Sequence, residues 1–341
     1  GAALAPLTET QKLTFSDNVT KSIQGVGSGT SGGTMSGAAG HSGGQQNRAE
    51  FIRAQGPVGT AGPAATASNN LAVWGTGIAN WFDQDDLDKR TGFDGDTQGI
   101  IMGIDTTIDR WLIGLSVGYT DTDVDVNGVD AESDIDAWQV GLYGSYSTAV
   151  WYVDAGITYS NSDIESKRSL NPIALTAKGD TDADTMSYFL AAGYSFDWGG
   201  GLTMTPNAAI NYSFTEVDGY TESCPTKGLG LVVDDSDTDV FTSTLGVTAS
   251  YKITERFNAE LRASWTHDFI DEDPKTTARY NVAGSQKFET KGLRADRDSF
   301  VVGMGLNGSI TEQLSGYFNY DYEMKDEFSA HTLTAGLRFQ F

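Results

Sequence analysis

One cysteine, Cys224, stands in 341 residues, so no internal disulfide can form and no paired-thiolate or Cys/His metal spacing exists. Basic residues are also few: 22 Lys and Arg against 46 Asp and Glu leave a formal charge of -24. That balance excludes nucleic acid as a partner, because phosphate binding needs a concentration of cations. No stretch approaches the roughly 18 consecutive apolar residues of a membrane-spanning helix. A mean hydropathy of -0.30 leaves a transmembrane barrel open, since its alternating strands average to polar. The stretch Gly1 to Leu7 lacks the basic and apolar regions of a signal peptide, so export of this chain would require further sequence upstream. Proline is scarce, 7 residues against 41 glycines and 14 Tyr, 16 Phe and 7 Trp, a composition rich in strand formers.

Two unequal parts follow one another, residues 1–70 and 71–341. The first is small, polar and glycine-rich, above all from Gly25 to Gly44, and cannot build a core. Two helices are expected in it. Thr8-Glu9-Thr10-Gln11 reads as a capping box with Phe15, Val19 and Ile23 at helical spacing, giving a segment near 8–24. A second, near 45–55, carries Arg48, Glu50 and Arg53 and ends at Gly56-Pro57.

From Leu71 to the last residue apolar side chains recur on one parity. Trp111, Ile113, Leu115, Val117 and Tyr119 form one set; Trp138, Val140, Leu142 and Tyr146 another; Phe257, Leu261 and Trp265 a third. Opposite parity reads as polar or glycine throughout. Short turns near Asp105 to Arg110, Ser147 to Ala149, Asp197 to Gly201, Ile253 to Arg256 and Ile310 to Gln313 are expected to alternate with longer acidic or polar loops. Aromatics bracket the apolar runs, Trp111 with Tyr119, Trp151 with Tyr159 and Phe257 with Trp265, eight residues apart. At about 3.4 Å per residue and ~40° tilt they span roughly 21 Å, near the ~25 Å apolar band of an outer-membrane barrel. The expected fold is all-β, a 12-stranded antiparallel transmembrane β-barrel preceded by a linker with a short α-helix. Its lumen, near ~14 Å across, would admit one helix of about 10–12 Å. Both barrel ends would lie on the short-turn, periplasmic side, with the long loops extracellular.

Residues 72–341 resemble the autotransporter β-domain family. The likeness rests on VWGTGIANWFDQ, GFDGDTQGIIMGID and IGLSVGYTDTDVD at the start, LRASWTHDF and GLRADRDSFVVGMGL further on, and the closing HTLTAGLRFQF. It implies a translocator in the bacterial outer membrane, among lipid and lipopolysaccharide, that anchors its own N-terminal passenger and helps export it. It also implies a linker helix in the pore. Leu337, Phe339 and Phe341 resemble the terminal signal read by the barrel-assembly machinery, with periplasmic chaperones as further partners during insertion. The barrel itself would act as a monomer, without cofactor and without enzymatic activity. Some members cut their own linker at an Asn-Asn pair; Asn69-Asn70 lacks the helical context, so self-cleavage is not expected. A passive pore or adhesin barrel without passenger is the alternative, and a barrel lipase lacks its Ser/His/acid set.

By parity, Asp105, Asp154, Glu260, Arg262, Asp321, Glu323 and Arg338 point into the lumen, where a charge must find water or a partner. Glu260, Arg262, Asp321 and Arg338 either contact the linker helix or pair among themselves. Asp123, Asp125, Asn127 and Asp134 match a calcium loop in spacing. Asn127-Gly128 is equally a hairpin turn, and an acidic hairpin tip is the simpler reading. Glycine-motif matches between Gly27 and Gly33 fall in a low-complexity tract with no preceding strand. His41, His267 and His331 are scattered, and Cys224 sits in a long loop as a free thiol.

Overall fold

A computed structural model describes residues 11, 18–22, 71–87, 90–293 and 296–341. Twelve antiparallel strands close into a barrel. In order they are β1 (Leu71–Gln84), β2 (Phe93–Ile108), β3 (Trp111–Val126), β4 (Ala131–Ser147), β5 (Trp151–Ser169), β6 (Thr176–Tyr194), β8 (Leu202–Val217), β11 (Ser236–Lys252), β12 (Phe257–Asp268), β15 (Asp298–Ser309), β16 (Leu314–Lys325) and β17 (Phe328–Gln340). β7 (Phe196–Gly199) continues β6 past Ser195 toward its turn. Four short strands, β9 (Tyr220–Thr221), β10 (Leu231–Val233), β13 (Lys275–Tyr280) and β14 (Phe288–Lys291), form a separate sheet in the order β14-β13-β10-β9. The barrel closes where β1 pairs with β17, from Ala72↔Gln340 to Gln84↔Phe328.

The expected outward parity is present. On β3, Trp111, Ile113, Leu115 and Val117 are exposed, while Leu112, Ser116 and Thr120 between them are buried against the inside. Trp138 on β4 is 67% exposed. A contiguous outer band of such side chains, bracketed by aromatics, is the surface an outer-membrane barrel presents to lipid. Above the upper aromatics the pattern inverts. Asp121, Asp123 and Asp125 continue the outward row of β3, and Val124 and Val126 turn inward; β4 and β5 do the same with Asp134, Asp163 and Glu165 outside and Ile135 and Ile164 inside. These extensions correct the expectation of strictly alternating long loops. The acidic segments are continued strands, joined by turns as short as Asp326 and Glu327 between β16 and β17. Outside lipid a barrel behaves like a soluble one, polar outward and apolar inward.

The inner wall is a second correction, for it is not polar or glycine throughout. Trp74, Ile78, Ile101, Leu112, Tyr143 and Phe189 form one inward cluster, and Phe82, Phe93, Val124, Ile135, Ile164 and Ala183 another nearer the loop rim. Register explains how rings fit against a curved wall: Trp74 lies opposite Gly103, Tyr143 opposite Gly114 and Tyr317 opposite Gly336. A Cβ at Gly114 would stand 2.3 Å from the Tyr143 ring, and one at Gly103 2.6 Å from Trp74. The polar tips stay bonded: Trp74 Nε1 donates to Tyr143 Oη at 2.6 Å, and Tyr143 Oη donates to Asp105 Oδ2 at 3.1 Å.

Residues 18–22, inside the first expected helix, are helical. Val19 packs with Leu170, Ala177, Leu229 and Leu231 at the loop rim. The expected helix near 45–55, with Arg48, Glu50 and Arg53, lies outside the described residues, as do His41 and Asn69-Asn70.

Gly114→Leu should force Tyr143 off the wall at a cost of about 1–3 kcal/mol, the usual penalty for overpacking. Its heat-modifiability transition on gels should fall below that of the native barrel, whereas Gly77→Leu, where a Cβ meets nothing within 4 Å, should leave the transition in place.

Candidate functional site: the lumen and its rims

Three neighbouring strands bring together Glu260, Arg262 and Asp321, three of the four charges that the sequence grouped on the inner face with Arg338. Arg262 on β12 lies opposite Gly303 on β15, which lies opposite Asp321 on β16. Because Gly303 and Gly305 carry no side chain, the guanidinium reaches across β15. Its Nε and Nη2 donate to Asp321 Oδ1 at 3.2 and 3.0 Å, Nη2 donates to Oδ2 at 3.1 Å, and Nη1 donates to Asn319 Oδ1 at 3.2 Å. A Cβ at Gly303 would stand 1.9 Å from that carboxylate oxygen. Glu260 completes the group, 3.7 Å from Arg262 Nη1 and accepting from Ser250 Oγ at 3.0 Å. Charge-assisted bonds with this fork geometry are the strong kind.

The other parity candidates also face inward, at separate places. Asp105 on β2 and Asp154 on β5 are buried. Arg338 on β17 donates from Nη1 to Gln340 Oε1 at 2.7 Å, and Glu323 on β16 pairs with Lys325 Nζ at 3.4 Å. Hydroxyl pairs line the wall between such groups, Thr185 with Thr215 at 2.9 Å and Thr244 with Thr266 at 2.8 Å. Bonded polar groups thus share the inner wall with the aromatic and aliphatic clusters.

At the short-turn rim Leu337, Phe339 and Phe341 point outward, the two phenylalanine rings 5.2 Å apart. The Phe341 amide donates to Leu71 O at 3.1 Å, which brings the last residue to the start of β1. At the opposite rim Asp123 faces Asp134 across a regular β3–β4 pair, and Gly128 takes a positive φ of 68° in the turn. The four calcium candidates therefore lie along an extended hairpin and do not wrap one point. Among the described residues no three Asp, Glu, His or Cys side chains converge on a possible metal position. Partial burial, and then the neighbouring carboxylates, push the Asp123 and Asp125 carboxyls above their usual range.

Two features escaped sequence reasoning. Tyr159 donates to Asp184 at 2.6 Å, Tyr212 to Asp239 at 2.7 Å, Trp265 to Asp298 at 2.9 Å, and Tyr119 to Asp136. Each clasp ties a girdle aromatic to an acid on the adjoining strand. Only register reveals it, since the partners are far apart in sequence. The second is a buried pair, Arg168 with Glu222, both side chains 4% exposed. His267 and His331 prove to be local partners, of Asp298 and Tyr320, each at 2.8 Å.

Arg262→Ala would remove the guanidinium that is bonded to Asp321 and stands 3.7 Å from Glu260. Full burial would make that worth ~3–5 kcal/mol; partial hydration reduces it to about 1–3 kcal/mol. The denaturant midpoint should fall and the pore should become more cation-selective in planar bilayers. The acidic hairpins carry the opposite pH sign from a salt-bridged acid. Their folded pKa values are raised, so the folded state holds more protons and the repulsive cost is relieved as pH falls through those values. The heat-modifiability transition at low salt should rise as the pH is lowered from neutrality through the raised carboxyl pKa values, and the difference should shrink at high salt.

The Autotransporter beta-domain family matches residues 73–321. An extracellular serine protease of Serratia marcescens is 25% identical over 284 residues, 80% of this chain and 26% of that protein. Outer membrane protein A of Rickettsia conorii is 24% identical over 304 residues, 83% of this chain and 15% of the relative. The chain therefore spans about a quarter or less of the length of these relatives. In fold it is similar to the translocator domain of NalP from Neisseria meningitidis, at TM-score 0.68 and 14% identity, covering 89% of this chain and 97% of that one. It is likewise similar to the β domain of Bordetella BrkA, at TM-score 0.60 and 17% identity, covering 80% and 100%. The closed barrel with lipid-facing parity and the match over most of its staves lead to one conclusion: this chain belongs to the autotransporter β-domain family and is an outer-membrane translocator barrel.

Proposed function

We propose that this barrel anchors and helps export the polypeptide joined to its N-terminal side. The observation that carries the reading is the position of two chain points. Val19 and Ser22 are buried at the loop rim, whereas Leu71 starts β1 at the short-turn rim beside Phe341. With lipid against the outer wall, the lumen is the passage that joins the two rims. The loop rim then faces the cell exterior and the rim with Leu71 and Phe341 faces the periplasm. Asp105, Asp154, Glu260, Arg262, Asp321, Glu323 and Arg338 are the pore-lining groups an exported chain would pass.

The barrel does this as a monomer among outer-membrane lipid and lipopolysaccharide, after delivery by periplasmic chaperones and insertion by the barrel-assembly machinery at Leu337, Phe339 and Phe341. It makes and breaks no bond, and residues 69–70 are not a self-cleavage point. Relatives named as an extracellular serine protease and as an outer membrane protein match this chain over 80% and 83% of its length, which supports a carrier whose cargo is set elsewhere.

The test places a signal peptide and an epitope ahead of Gly1 in Gram-negative cells. External protease should remove the epitope from intact cells carrying the whole chain and spare it when residues 328–341 are deleted. An epitope protected on cells whose barrel is folded and heat-modifiable would contradict export.

A further inference from the structure

The connections from β8 to β11 and from β12 to β15 do not hang free above the mouth. Each contributes two strands to the small sheet, and the two connections join where Leu231 pairs with Tyr280 and Val233 with Ala278. Leu231 and Ala278 are fully buried, and Leu229 and Val233 nearly so, against Leu170 and Ala177 at the ends of β5 and β6. Cys224 packs at the margin of this core.

Fastenings reach well around the rim. On the β5–β6 side, Arg168 Nε and Nη2 donate to Glu222 Oε1 and Oε2 at 2.6 and 2.5 Å, and the Leu231 amide donates to Glu222 Oε2 at 2.7 Å. Beside them Ser223 exchanges two backbone hydrogen bonds with Lys178 of β6, at 2.7 and 2.9 Å. Across the mouth, Arg90 in the β1–β2 connection pairs with Asp273 Oδ1 at 2.8 Å and donates to Gly292 O at 3.1 Å. Tyr220 lies over Gly179, where a Cβ would stand 2.3 Å from its ring, and burial holds its hydroxyl pKa up at about 12. A cavity of about 50 Å³ beneath is lined by Arg168, Glu222, Tyr220, Lys275 and Thr181.

One member of this core comes from elsewhere in the chain. Val19 is 4% exposed in it, and Ser22 is 1% exposed in the same helical turn, its hydroxyl donating to Asn18 O at 2.7 Å. Val19 therefore fills part of the apolar core under the two connections.

We infer that the two connections form a latching lid over the outer mouth, held by the buried Arg168–Glu222 pair and completed by Val19 of the exported chain. The lid closes on the tail end of export, when that segment reaches the rim. This rests on the reading that the N-terminal segment leaves through the barrel. Removing one partner of a buried ion pair opens the latch, because the other charge must then find water; replacing both by apolar residues keeps it shut.

Cys224, the sole cysteine, reports the lid in the whole chain. Maleimide labelling of folded, outer-membrane-inserted protein should be about tenfold or more faster in Glu222→Ala, in Arg168→Ala and in Val19→Asp than in the native chain, with larger single-channel conductance. The double variant Arg168→Met with Glu222→Leu should label as slowly as native. Native-rate labelling in the single variants, with the barrel still heat-modifiable, would overturn the latch. So would fast labelling in the double variant. Should the ion-pair variants lose heat-modifiability, Val19→Asp decides by the same criterion. Epitope display scored on the same cells separates the two ideas: absent display in the native chain sinks export, while the labelling rates judge the lid by themselves.

Discussion

Thirteen consecutive residue pairs between β1 and β17, from Ala72↔Gln340 to Gln84↔Phe328, close a sheet that would otherwise present an unpaired edge to hydrocarbon. Each backbone amide or carbonyl left unpaired in lipid costs several kcal/mol, so a strand-built membrane protein has to end where it began. That seam sets much else. It brings Phe341 to Leu71 and puts both ends of the barrel at the short-turn rim. It also commits every strand to one face toward lipid and one toward the lumen, because side chains alternate with a period of two.

The height of the lipid band then decides which face is apolar. Between Trp111 and Tyr119 the outside is greasy; from Asp121 onward the outside is acidic and the inside carries Val124 and Val126. The same strand obeys two solvents in turn. Tyrosine-to-aspartate clasps mark the changeover, with rings at the boundary and carboxylates just past it. Inside, aromatic rings fit because glycine stands opposite them, and Arg262 reaches Asp321 because Gly303 lies between. Above, a lid with an apolar core fits on a wall that has itself turned apolar inward.

How much of this was legible follows from which forces are local. β3 was readable residue by residue, since lipid imposes one parity over the whole span Trp111 to Val117. The inward direction of Asp105, Asp154, Glu260, Arg262, Asp321, Glu323 and Arg338 followed from the same rule. Trp74, Ile78 and Phe82 defeated it: on β1 they face the lumen, while Gly75 and Gly77 share the outward parity with Val73 and Trp81, an arrangement allowed because lipid tolerates a bare glycine and the neighbouring strand offers Gly103 opposite Trp74. The acidic ends of β3 to β6 looked like loops because their alternation is intact but inverted. Neither Arg168–Glu222 nor the Val19 contact was visible, as both join distant segments through register and loop folding. The pairing of Arg262 with Asp321 left only an indirect trace, the Gly303-x-Gly305 spacing.

The central claim is that one row of side chains meets lipid up to Tyr119 and water beyond it. Spin labels placed singly at residues 111–126 in a Cys224→Ser background, with the barrel in bilayers, measure this directly through collisions with oxygen and with a water-soluble nickel complex. Oxygen accessibility should peak at every second position through Tyr119, and at Asp121, Asp123 and Asp125 the nickel complex should take over on the same parity. An oxygen pattern without a two-residue period, or a row from Trp111 to Val117 reached by the nickel complex, would show a water-exposed or protein-covered face and contradict the account.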